Sequence, residues 1–170
     1  MRAIHLAFVL LVTVAPGAAL ARGWQGVIPG ASTDSEIATK FGPPSTQGKL
    51  SGRVALVYKG DQAIPGTRQA QFFARDDGVV VEVVVFPTNQ LDRETVEGTY
   101  GRPSHKAFTD DFRTVWFFKP AGITVYFAKD GFVDAISFKA PEGAARADPP
   151  HRAAAKPPAG RAEAAPSPQQ

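Results

Sequence analysis

The stretch Phe41-Gly42-Pro43-Pro44-Ser45 recurs 59 positions on as Tyr100-Gly101-Arg102-Pro103-Ser104. At the same offset Ile37 falls on Val96, and Val57 and Tyr58 fall on Trp116 and Phe117. Farther along, Asp77-Gly78 matches Asp130-Gly131 at a shorter offset, which places an insertion in the first copy over 60–66. Turn residues and apolar positions recur together, so the body is predicted to be written twice.

Working outward, each copy reads as one short helix followed by three strands. Thr33 and Glu36 have the spacing of a capping box, Ile37 and Phe41 share a helix face, and Gly42 with Pro43 stops the helix. Asp92, Val96, Tyr100 and Gly101 repeat that arrangement. Strands are predicted at 54–59, 69–75 and 79–86, and again at 114–118, 123–128 and 132–138, where β-branched and aromatic residues concentrate. The Asp-Gly pairs mark hairpins, because both residues tolerate positive φ. The expected class is α+β, two tandem helix-plus-three-stranded antiparallel meander repeats spanning 22–87 and 88–140. Units this small bury too little surface to stand alone and should share a core or a sheet.

The flanks read differently. Arg2, the apolar run Leu6 to Val14, and Ala19-Leu20-Ala21 form the pattern of a signal peptide over 1–21, with an apolar stretch too short for a membrane span. No second long apolar run follows, so no integral membrane segment is expected once the leader is removed. Residues 141–170 hold seven prolines and ten alanines with no aromatic or β-branched residue, the composition of a disordered tail. Between the flanks, fourteen basic residues face thirteen acidic ones. Such a balance offers no cationic stripe for phosphates and argues against a nucleic-acid partner. With no cysteine in 170 residues, disulfides, thiolate catalysis and cysteine metal sites are excluded. Neither metal nor cofactor is expected.

Chemistry-bearing groups are sparse. Asp76-Asp77 and Asp110-Asp111 are neighbours whose side chains diverge on an extended chain, and Asp77 reads as turn chemistry. Ser104-His105 lacks a third group to orient the imidazole, and Ser45 repeats the serine without a histidine. The insertion contributes Asp61 to Ile64 as loop contacts, and 60–66 lacks the ending of a phosphate cradle.

Aromatic placement carries more. Alternation in the second strand turns Gln69, Gln71, Phe73 and Arg75 to the outer face, and the repeat carries Phe73 onto Tyr126. If Leu56 and Tyr58 match Val115 and Phe117 as core, then Val57, Trp116 and Phe118 point outward. In the third strand, Val79, Val81, Val83 and Val85 read as buried, and Val80, Glu82 and Val84 as outer. Val57, Phe73, Trp116, Phe118 and Tyr126 are thereby expected to form one partner-binding patch.

The second copy, with Gly101-x-Pro103, Trp116-x-Phe118, Phe127-x-x-x-Gly131 and Ile136, resembles the SmpA/OmlA (BamE-like) outer-membrane assembly lipoproteins. Pro29-Gly30-x-Ser32-Thr33 and Gly42-x-Pro44 resemble the opening of the same motif, and a tandem of such units is similar to the β-lactamase-inhibitor-protein fold. The lipidated cysteine of the lipoproteins is missing here. The resemblance implies a non-catalytic binder in the cell envelope, periplasmic or secreted, with a protein partner. Two alternatives stand beside it. One is a secreted enzyme inhibitor acting through loops near Asp61 and Phe108 to Phe112, the other a small hydrolase using Asp110, Asp111 or His105.

Overall fold

Thr33 starts the first helix with the box its spacing predicts. The Glu36 amide donates to Thr33 Oγ1 at 3.3 Å, and the Thr33 amide donates to the Glu36 carboxylate at 2.9 Å. In the computed structural model, which describes residues 23–140, this helix is α1 (Asp34–Phe41). Helix α2 (Arg93–Tyr100) is capped by Asp92, whose carboxylate accepts from the Thr95 amide at 2.8 Å. That bond holds the Asp92 pKa below the ordinary carboxylate value. Gly42 (φ 80°) and Gly101 (φ 81°) end the two helices in a backbone conformation that favours glycine. The signal peptide expected over 1–21 and the disordered tail expected over 141–170 lie outside the described residues.

Eight strands follow the chain: β1 (Thr46–Leu50), β2 (Arg53–Lys59), β3 (Thr67–Ala74), β4 (Val80–Pro87), β5 (His105–Phe108), β6 (Thr114–Phe118), β7 (Ile123–Phe127) and β8 (Val133–Lys139). They form one antiparallel sheet in the order β1-β2-β3-β4-β8-β7-β6-β5. This corrects the expectation of two tandem helix-plus-three-strand repeats. The described residues form a single eight-stranded sheet with two short α-helices, and β4 pairs directly with β8, setting Val83 against Phe138 and Val85 against Ile136. One apolar cluster runs from Val27 through Phe72 and Val83 to Phe138.

The two strands absent from the sequence reading are β1 and β5, the edges. All five residues of β1, Thr-Gln-Gly-Lys-Leu, are exposed, and β5 is nearly so. An edge strand with no buried side carries no alternating pattern, and charged or glycine positions are its normal guard against pairing with other chains.

Ile37 on α1 and Val96 on α2 both press on the same sheet face. Beneath α1, the Phe41 ring stacks on Phe72 at 5.7 Å, and Tyr58 meets Phe72 edge-on at 5.6 Å. The Tyr58 hydroxyl donates to the Gly42 carbonyl at 2.9 Å, which ties β2 to the end of the helix, and burial pushes its pKa up. Under α2, Phe118 packs on Tyr100 at 5.5 Å, and Trp116 meets Phe127 edge-on at 4.9 Å.

These positions correct the register of the first strands. The Lys59 amide donates to Ser45 Oγ at 2.8 Å, and its counterpart Lys119 donates to Ser104 Oγ at 3.2 Å. The span from serine to lysine is therefore one residue longer in the second half, so Tyr58 answers to Phe118 and Leu56 to Trp116. A slip of one residue exchanges the faces of a strand. In β4 the correction has another cause. Val81 is an extra residue where Phe73 and Ala74 face Glu82 and Val80, and this bulge returns Val80, Val83 and Val85 together to the helix side. Asp134 is the extra residue at the matching place in β8.

Candidate functional site: the open sheet face

No helix among the described residues lies over the other face of the sheet. Register lines up one row across all eight strands: Thr46, Val57, Gln71, Val84, Ser137, Thr124, Phe117 and His105. At about 4.8 Å between strands, this row is roughly 34 Å long. Val57, Val84 and Phe117 along it are half-buried, an apolar line on a face that antiparallel sheets usually leave polar when uncovered.

Next to the row sits a polar knot. Ser137 Oγ, with the residue only 1% exposed, donates to Glu82 Oε1 at 2.8 Å. Arg53 donates to Glu82 Oε2 at 2.9 Å, and Lys139 Nζ lies 3.3 Å from Oε1. The Arg53 guanidinium also rests 4.9 Å over the Phe73 ring. Arg53 opens β2, and Arg113 stands just before β6 in the matching place. Arg113 pairs with Asp134 at 3.2 Å and with Asp111 at 2.7 Å. Arg68 reaches the same Asp134 carboxylate, donates to its carbonyl at 3.0 Å, and lies 5.6 Å over Phe86. Each half thus anchors an arginine to a carboxylate beside its bulge.

The five expected patch residues do not come together. Val57, Phe73 and Tyr126 belong to the open face by register, with Phe73 sealed beneath Arg53. Trp116 and Phe118, 5% and 3% exposed, lie in the core under α2, as the corrected register demands. Phe117 takes their place on the open face. Sequence reasoning missed the knot of Glu82, Arg53, Ser137 and Lys139, although one acid inside Val79-Val80-Val81-Glu82-Val83-Val84-Val85 was its visible sign.

The groups weighed for catalysis are spread apart. His105 begins β5, while Asp110 and Asp111 lie in the turn beyond its far end. Asp111 accepts from the Thr109 hydroxyl and pairs with Arg113, and both hold its pKa below the ordinary value. Asp77 is lowered likewise, first by Arg75 and then by the Val79 amide it caps. Among the described residues, no group of three or more His, Asp or Glu side chains is placed to hold a metal ion.

No protein-family model and no curated protein matches the chain. Solved structures do. The fold is similar to that of YjgB. This DUF4309 family protein from Bacillus subtilis matches with a TM-score of 0.50 and 18% identity, over 68% of this chain and 83% of that one. Two weaker likenesses have TM-scores of 0.46 and 0.43. One is an extracellular protein containing an SCP domain from Bacillus anthracis, 14% identical over 65% of this chain. The other is a cysteine-rich secretory protein from Staphylococcus aureus, 13% identical over 66% of this chain. This chain spans 43% of each of those two. The resemblance to BamE-like lipoproteins and to the β-lactamase-inhibitor-protein fold is corrected accordingly. Its matching residues were turn glycines and core apolar positions, which any capped helix leading into a meander requires.

The hairpin joining β5 to β6 carries two exposed phenylalanine rings, Phe108 at 73% and Phe112 at 86%. Phe112 sits at φ 60°, where a side chain is strained. Phe112→Gly is expected to raise stability by about 1 kcal/mol through relief of that strain. A urea midpoint no higher than wild type would show the turn to be relaxed as it stands.

Proposed function

We propose that this chain is a non-catalytic, protein-binding module of the cell envelope or the extracellular space, and that its partner lies along the open sheet face. The observation that supports this reading most is the eight-residue row itself, with Val57, Val84 and Phe117 left half-buried without a helix above them. Apolar surface kept accessible between polar margins is the form of a binding face. The signal-peptide pattern over 1–21 supports export, and the finer assignment to periplasm or medium rests on fractionating the host.

The test places a photo-crosslinking residue at Gln71 or Thr124 on the row, and at Thr39 or Thr99 on the helices as controls. Protein adducts are expected from the row positions alone. Equal yields from both sides, or adducts from neither, would remove the open face as the docking surface.

A second reading, an inhibitor that inserts the Phe108 and Phe112 hairpin into an enzyme, draws on the exposure of those two rings and the strain at Phe112. Under it, Phe112→Gly would abolish inhibition while leaving the protein folded.

A further inference from the structure

The formal balance of the body hides a separation of charge. Acidic residues gather on the helices and turns: Asp34 and Glu36 in α1, Glu94 and Glu97 in α2, Asp110 and Asp111 in a hairpin. On the open face, register and ion pairing place five cations, Arg53, Lys59, Arg68, Arg113 and Lys139, against three carboxylates, Glu82, Asp134 and, through its pair with Arg113, Asp111.

Depth sharpens the imbalance. The Glu82 and Asp134 side chains are sunk to 11% and 30% exposure, whereas those of Arg68 and Lys139 stand out at 52% and 55%. Glu82 and Asp134 are held from within, Asp111 at 53% exposure is taken up by Arg113 and the Thr109 hydroxyl, and Arg68 and Lys139 are left facing outward with N–H donors to spare. Antiparallel order sorts these cations into two ends. Arg53 and Lys139 share one end with Glu82, and Lys59, Arg68 and Arg113 share the other with Asp134 and Asp111. Arg53 and Lys59 are six residues apart on β2, so the two ends stand about 20 Å from each other. The neutral row of Val57, Gln71, Val84, Ser137, Thr124 and Phe117 runs between them.

Resting on the docking face proposed above, we infer that the partner is an acidic protein segment, with an apolar centre over the neutral row and carboxylates at both flanks. Charge complementarity selects this occupant. A nucleic acid would carry its phosphates past the sunk carboxylates and across the valine and phenylalanine row, where nothing neutralises them.

The probe is a fluorescein-labelled peptide with two glutamates on each side of six alternating valines and threonines, titrated with the full chain and read by anisotropy. Two further probes, the same peptide with lysine flanks and a twenty-nucleotide oligothymidine, test the charge and the class of ligand. The acidic peptide is expected to bind, and to weaken about tenfold between 50 and 300 mM salt. Lys59→Glu, at an exposed strand end, should weaken it about tenfold more, and Lys40→Glu on the helix side should leave it unchanged. Binding of the lysine-flanked peptide or the oligonucleotide as tight as that of the acidic peptide overturns the inference. So does failure of the acidic peptide to bind, or its indifference to Lys59→Glu. If crosslinks from Gln71 persist at full yield in Lys59→Glu, the docking face stands and the acidic partner falls. If no position crosslinks, both fall.

Discussion

Trp116→Ala is expected to cost about 3–5 kcal/mol of folding stability, lowering the melting temperature by roughly 10–20 °C. The ring is 5% exposed, meets Phe127 edge-on at 4.9 Å and lies 4.3 Å beneath the ammonium of the exposed Lys106, so its removal opens a cavity and also takes away a cation–π contact. Phe117→Ala, one residue away, should cost about 1 kcal/mol or less, because its ring is half-buried on the open face with water already at its edge. The pair reads out the register of β6 directly. Comparable losses, or a larger loss at Phe117, would return the strand to the register drawn from the 59-residue offset. The same contrast bears on function, since loss of partner capture in Trp116→Ala would report unfolding, whereas loss in Phe117→Ala or Tyr126→Ala in a folded protein would report the face.

How much of this was legible follows from what each feature needs. The caps at Thr33 and Asp92 and the turns at Gly78 and Gly131 are local, each set by a few neighbouring residues, and they lie where the sequence places them. The Asp77 and Asp130 carboxylates accept from the Val79 and Phe132 amides, both at 3.1 Å, which is the turn chemistry that the Asp-Gly pairs predict. Strands β1 and β5 were invisible, because hydrogen bonding to one neighbour asks nothing of their side chains. The register failed for a different reason. Matching glycines and prolines fixes the turns but not the number of residues between them, and a single residue gained between Ser104 and Lys119 moved two aromatic rings through the sheet. The bulges at Val81 and Asp134 break the alternation on which face assignment depends. Of the expected patch, Val57, Phe73 and Tyr126 kept their face, because the extra residues fall in the neighbouring strands β4 and β8 and alternation within β2, β3 and β7 is unbroken at these positions.

Glu82→Ala is expected to cost about 2–4 kcal/mol. Breaking a fully buried ion pair costs roughly 3–5 kcal/mol, since the remaining charge stays desolvated. Here Arg53 and Lys139 keep enough exposure to recover water, which discounts their share. Ser137 cannot recover it, and its hydroxyl, 1% exposed, would lose its acceptor at about 1–3 kcal/mol. Glu82→Gln retains the acceptor and the volume and should cost less than Glu82→Ala in the same urea titration. Glu82→Leu combined with Ser137→Ala removes both members of the buried bond, fills the space with carbon, and should fall within about 1 kcal/mol of wild type. A loss equal to that of Glu82→Ala would mean that the knot holds the sheet together. Recovery in the double variant would mean instead that the carboxylate orders Arg53 and Lys139 at one end of the row, a role measured by the acidic peptide and not by the midpoint.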